Sequence, residues 1–187
     1  MQEVETGRLD LEAPVRRYLP EFRLQRDEWS DSVLVRRLLT HTTGLILPLP
    51  TRGRAAARCC CRRDGGGPRP QPANRVFSYS NLGFAIAGRV AELLSTGAFE
   101  DLVERRIFQP LGMSNSTVRT HEALSRRYAS GHLVRGDRVA IAHPWHLVRG
   151  AAAYGGVLSD VRDQLRWLAS SLAMARLSTP PARAAAC

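Results

Sequence analysis

Phe77-Ser78-Tyr79-Ser80-Asn81-Leu82-Gly83-Phe84 is the stretch on which the fold turns. It sets Tyr79 and Asn81 two positions apart, just ahead of a run in which Leu82, Ala85, Ile86, Val90, Leu93 and Leu94 recur at three- and four-residue intervals up to Gly97. That spacing predicts an amphipathic helix with Ser80 or Asn81 as its cap. It also suits a catalytic Tyr-x-Asn pair. A buried tyrosine beside a cation can exchange a proton with a serine, and an asparagine can hold an amide or ester through both a donor and an acceptor. From the triplet alone, the cap and the catalytic pair both stand.

Working outward toward the C-terminus, Phe99, Leu102, Val103 and Ile107 form the apolar stripe of a second helix, stopped by Pro110 and Gly112. Tyr128 to Val134, a Gly136-Asp137 turn and Val139-Ala140-Ile141 predict a short hairpin. Ser159 or Asp160 caps a last helix presenting Val161, Leu165, Leu168 and Leu172. Toward the N-terminus, a helix end is expected before a turn at Gly7, and Pro14 and Pro20 break any longer helix. Asp31 or Ser32 is placed to cap a helix carrying Val33, Leu34, Leu38 and Leu39, with Gly44 closing it.

The chain has 187 residues, enough for one domain with a core and too few for two comfortable ones. It contains no apolar run long enough for a transmembrane helix, and its acidic start, Met1-Gln2-Glu3-Val4-Glu5, lacks the apolar region of a secretory signal, so a cytoplasmic location is the default expectation. The net charge of +10 is unevenly spread. Pro48 to Arg75 holds seven arginines against one aspartate, a net of +6, whereas the other 159 residues hold twenty against sixteen, a net of +4. The basic segment has no interleaved aromatics to stack on bases, which argues against nucleic acid as a partner. It is rich in Arg, Pro, Gly, Ala and Cys, so 48–75 is expected to be a disordered low-complexity insert and 175–187 an irregular tail. This composition fits a locally frame-shifted reading of a G+C-rich gene, which sequencing the transcript would test. Every basic residue is arginine; lysine is absent. Chemistry that needs an amine able to lose its proton is therefore closed to these residues.

Several runs in a fixed order carry a resemblance. Gly7-Arg8-Leu9-Asp10-Leu11 through Tyr18-Leu19-Pro20-Glu21-Phe22, then Val35-Arg36-Arg37-Leu38-Leu39-Thr40-His41-Thr42-Thr43-Gly44-Leu45, resemble the "GKLDLDDPVxxYLPEF" and "IRHLLTHTSGL" runs of the serine β-lactamase-like family. The likeness continues through Phe77 to Gly83, through Glu104-Arg105-Arg106-Ile107-Phe108-Gln109-Pro110-Leu111-Gly112-Met113, and into Tyr154-Gly155-Gly156-Val157-Leu158-Ser159. That family comprises class C β-lactamases, D-alanyl-D-alanine carboxypeptidases and esterases. The resemblance implies an α+β fold, here the mostly helical portion of the β-lactamase/transpeptidase-like fold with most of the antiparallel sheet missing, over one partial domain spanning 1–187.

It also implies a mechanism. In the family a serine of a Ser-x-x-Lys motif attacks a lactam, amide or ester carbonyl, and water hydrolyses the acyl-enzyme. Tyr79 would work with the lysine to move protons, Asn81 would contact the lysine and the substrate amide, and a backbone oxyanion hole would hold the tetrahedral intermediate. A phenol ordinarily titrates near ~10 and needs a cation beside it to act near neutral pH. Here the pattern departs from the family, because Ser-x-x-Lys cannot occur without lysine and the later Lys-Thr-Gly or His-x-Gly motif is missing as well. The expected partner is a small amide, lactam or ester, with oligomeric state left open and no cofactor. The expectation is an inactive fragment of a serine hydrolase, with a non-catalytic binding remnant and an Arg-rich interaction protein acting through 52–75 as alternatives.

Other chemistry-bearing residues have plainer explanations. Ser159-Asp160-Val161-Arg162 has Ser-x-x-Arg spacing, but arginine cannot serve as a base and Ser159 reads as a cap. Cys59-Cys60-Cys61 lacks the Cys-x-x-Cys spacing of zinc sites, and Pro144 disfavours a helix that would align His143 with His146. His41 reads as structural, bonding backbone near a helix end. Asn115-Ser116-Thr117 matches a glycosylation sequon by pattern only.

Overall fold

The computed structural model describes residues 1–24, 27–44, 77–142 and 152–178. In chain order the elements are α1 (Gln2–Glu5), a 3-10 turn (Val15–Arg17), α2 (Asp27–Ser32), α3 (Val35–Leu39), α4 (Asn81–Ser95), α5 (Phe99–Val103) running into a π-helical turn (Glu104–Phe108), α6 (Thr120–Leu124), β1 (His132–Arg135), β2 (Arg138–Ile141), α7 (Ala152–Gly155) and α8 (Val161–Ser178). Helices dominate, and β1 and β2 form a two-stranded antiparallel sheet. This is the mostly helical architecture expected.

The core follows from the apolar spacing of α4. Leu82, Ile86 and Val90 lie one turn apart on one face and are buried against Val15, Leu19, Phe22, Val33, Val35 and Leu38. α4 packs on α3, α5 and α7. Two glycines make these contacts close. A Cβ on Gly83 would stand 2.6 Å from the Leu38 carbonyl oxygen, and one on Gly88 would stand 2.4 Å from the Ala153 Cβ. A second cluster of Val103, Phe108, Met113 and Val118 lies beneath the π-helical turn.

Several boundaries differ from the sequence-based expectation. The helix expected from Asp31 or Ser32 through Leu39 is broken at Val33 and Leu34. There the backbone pairs with the 13–15 segment instead: Val15 N–H donates to Val33 O at 2.8 Å and Val35 N–H to Ala13 O at 3.0 Å. Asp31 ion-pairs with Arg16 at 2.7 Å and Ser32 Oγ bonds back to Trp29 O, so neither caps α3. The left-handed residue after α3 is His41, at φ 57°, although Gly44 also has positive φ. At the end of α4 it is Thr96, at φ 52°, rather than Gly97. The hairpin holds, with its first strand shortened to His132–Arg135 and Gly136 left-handed in the turn. α8 extends to Ser178, into the expected irregular tail. The expected insert 48–75 and residues 179–187 lie outside the described residues, as do Cys59–Cys61, His143 and His146.

Two buried carboxylates tie distant segments together. Glu3 of α1 accepts a hydrogen bond from Ser95 Oγ at 2.9 Å, binds the Arg106 guanidinium, and ion-pairs with Arg8 at 2.8 Å. Asp163 of α8 is fully buried and accepts from Asn115 N–H at 2.8 Å, Ser116 Oγ at 2.9 Å and Arg166 at 2.6 Å. A backbone bridge between Thr117 and Leu158 runs beside it. Asp160, not Ser159, caps α8, accepting the Asp163 N–H at 2.8 Å. The Asn115-Ser116-Thr117 triplet is engaged in this joint: Asn115 Nδ2 donates to Asp160, and Thr117 Oγ1 donates to Glu122.

Burial alone pushes both carboxyls up, but for Glu3 the bonds from Ser95 and Arg106 and the charges of Arg106 and Arg8 outweigh it, and for Asp163 the bonds from Ser116, Asn115 and Arg166 do the same. Both are held below their ordinary values of 4.5 and 3.8. A carboxylate whose pKa is depressed by folding stabilises the native state above its unfolded pKa, and that stability is lost as pH falls through the folded value. The thermal midpoint is therefore expected to be flat with respect to these two groups above pH 5 and to fall progressively below about pH 4. A calorimetric pH series checks this, and Asp163→Asn should flatten its acid limb.

Among the described residues no single helix is long and apolar enough to cross a membrane. The apolar residues of α8 are largely uncovered, with Val161 75%, Leu165 59% and Leu172 55% exposed.

Candidate active site

The segment entering α4 alternates in and out, as an extended chain does. Ser80 has extended φ and ψ and is buried, whereas Phe77 is 67% and Tyr79 70% exposed. Ser80 occupies the cap position but makes no side-chain capping bond. Asn81, the first residue of α4, is partly buried. The two sequence-predicted site residues thus share the N-terminal edge of one helix, with the Tyr79 ring open to solvent.

What fixes that edge is His41. The end of α3 closes with Thr42 N–H donating to Arg37 O at 3.3 Å around the left-handed His41, a motif that usually places glycine there. His41 then holds the Tyr79 segment at two points. Its carbonyl accepts Ser78 N–H at 2.9 Å, and its ring Nδ1 accepts Ser80 N–H at 3.1 Å. The ring lies 4.4 Å from the Tyr79 ring, centroid to centroid and tilted by 31°, with Phe84 at 5.2 Å and Phe77 edge-on at 5.7 Å. The expectation that His41 bonds backbone is met, but the main chain it binds belongs to the Tyr79 segment, not to its own helix end. No periodicity could have revealed this, since the partners lie 39 residues apart. The Gly83–Leu38 contact sets the spacing, because α3 can bring His41 against residues 78–80 only if α4 approaches it without a side chain.

The Tyr154-Gly155-Gly156 run has an architectural part. A Cβ on Gly156 would stand 2.5 Å from the Ala152 Cα. Burial pushes the Tyr154 phenol up. Ser159 Oγ lies 2.7 Å from Ser116 Oγ in the α8 joint. No group of three or more His, Cys, Asp or Glu placed to hold a metal occurs among the described residues.

The Beta-lactamase family profile matches residues 1–186. The chain belongs to the Beta-lactamase family. It is 33% identical over 174 residues to Penicillin-binding protein 4 of Amycolatopsis lactamdurans, covering 89% of this chain and 45% of that protein. The fold is similar to a class C β-lactamase crystal structure with a TM-score of 0.73 and 25% identity, covering 91% of this chain and 46% of that one. It is also similar to D-amino acid amidase from Ochrobactrum anthropi SV3, with a TM-score of 0.72 and 27% identity, covering 92% and 50%. The chain spans about half the length of the relatives it matches. The Tyr-x-Asn run, the His41 clamp and the Gly83 contact therefore lie in a portion of the family fold built mostly of helices.

Proposed function

We propose that this chain contributes one wall of a serine-hydrolase cleft for small amides, lactams or esters, with Tyr79 and Asn81 as its reactive edge, and that the 187 residues alone do not turn substrate over. The observation that carries this is the Phe77–Asn81 segment, which His41 holds with the Tyr79 phenol outward at the N-terminal end of a buried helix.

Each residue's part follows from its chemistry. A solvent-facing phenol accepts or donates a proton at Oη when a neighbouring cation stabilises the phenolate. Asn81 offers Nδ2 as donor and Oδ1 as acceptor to a substrate amide. The nucleophile is another matter. No lysine stands in these residues to form Ser-x-x-Lys, and arginine does not give up its proton to act as a base. Acyl transfer by the family's chemistry requires that motif from outside the 187 residues.

Incubation with a chromogenic cephalosporin and a short-chain nitrophenyl ester tests the proposal. The expected result is hydrolysis at the buffer rate for both. Hydrolysis that Tyr79→Phe abolishes would show a working nucleophile and overturn the inactive part of the proposal.

A further inference from the structure

We propose that His41 is a positioning residue for Tyr79, acting through a neutral imidazole whose Nδ1 accepts the Ser80 N–H and whose face lies against the phenol ring. Its functional meaning rests on Tyr79 being the reactive edge of the cleft, while its geometry does not.

Three observations converge on one side chain. First, His41 occupies a left-handed backbone position at φ 57°, which for a residue with a Cβ is unfavourable by about 1 kcal/mol relative to glycine. Glycine would close α3 more easily, but only a side chain there can reach the Ser80 N–H and the Tyr79 ring. Second, the Ser80 N–H has one proton to give, so Nδ1 is an acceptor at 3.1 Å and the ring proton sits on Nε2. Third, the imidazole lies 4.4 Å from the Tyr79 ring. The two backbone bonds to residues 78 and 80 bracket Tyr79, so the clamp fixes the main chain on both sides of the phenol while the ring supports its face. With Tyr79 70% exposed, little other packing restrains that side chain.

The acceptor and the stack can be separated by substitution. Asparagine places Oδ1 where histidine has Nδ1 and tolerates left-handed backbone, but has no ring. Alanine removes both. Labelled 187-residue chain is examined by NMR for Ser80 amide exchange and Tyr79 ring shifts. In His41→Ala, Ser80 exchange is expected to accelerate about tenfold, and the Tyr79 ring resonances to move as the imidazole ring current is lost. In His41→Asn, Ser80 protection is expected to return to within about twofold of wild type while the Tyr79 shift stays lost. A purely structural role in ending α3 predicts no such split. The proposal is overturned if His41→Ala leaves the Ser80 and Tyr79 signals unchanged, or if folded His41→Asn fails to restore Ser80 protection. Should His41→Ala not fold, the asparagine variant decides alone. A cephalosporin titration of the wild-type chain separates this from the cleft assignment. Tyr79 and Asn81 resonances indifferent to the cephalosporin, with the His41 effects present, would sink the ligand assignment and leave the positioning role standing.

Discussion

Replacing Asp163 with alanine is expected to lower the unfolding free energy by about 2–4 kcal/mol, read from urea denaturation followed by circular dichroism. The carboxylate is fully buried and takes donors from Asn115, Ser116 and Arg166. Alanine removes the acceptor for all three at once, and Arg166 loses a charge partner while keeping its bond to Gly112 O at 2.7 Å. Asp163→Asn keeps the shape and part of the acceptor capacity, so its cost should be smaller, about 1–3 kcal/mol. The damage should be local first. Amides of α8 and of 112–117 should lose hydrogen-exchange protection before those of α3 and α4, because Asp163 joins only the former pair. Equal loss across all four segments would show that the joint and the α3/α4 core open together.

Gly83→Ala is expected to destabilise the chain by about 1–3 kcal/mol, against the direction that helix propensity alone predicts. Exchanging a helical glycine for alanine ordinarily gains about 1 kcal/mol. Here the new Cβ would stand 2.6 Å from the Leu38 carbonyl oxygen, and a main-chain atom cannot swing aside as a side chain can. The steric term wins, and α3 must move away from α4. Leu38 is three residues before His41, so the displacement should reach the clamp: Ser80 exchange should rise and the Tyr79 ring signals broaden. Guanidinium unfolding of Gly83→Ala beside Ala87→Gly, whose methyl is only partly buried against the core, compares the steric cost with a change dominated by propensity. A stabilised Gly83→Ala would mean that α3 and α4 do not pack as described.

Much of this architecture was legible in the residues. The four-residue spacing of Leu82, Ile86 and Val90 announced α4 and its buried face, and Gly136-Asp137 announced the hairpin. The apolar stripe of α8 was legible in the spacing of Val161, Leu165, Leu168 and Leu172, and these side chains are exposed. What escaped the sequence was tertiary in origin. Val33 and Leu34 fit a helical pattern but are drawn into pairing with residues 13–15, a competition no local window contains. Nothing local marks Glu3 or Asp163 for burial, yet each meets donors tens of residues away or more. The Tyr79–Asn81 edge was found by spacing and family order, whereas its clamp was not, because a histidine at a left-handed helix end carries no periodic signature. Its oddity, a Cβ-bearing residue where glycine is easier, appears only once the backbone is known.

The proposal that these residues carry no working nucleophile is open to intact-mass spectrometry of the chain after incubation with a penicillin. A single species at the unmodified mass is expected, with Tyr79→Phe identical to wild type. A stoichiometric adduct of the penicillin's mass on a serine of this chain would contradict it.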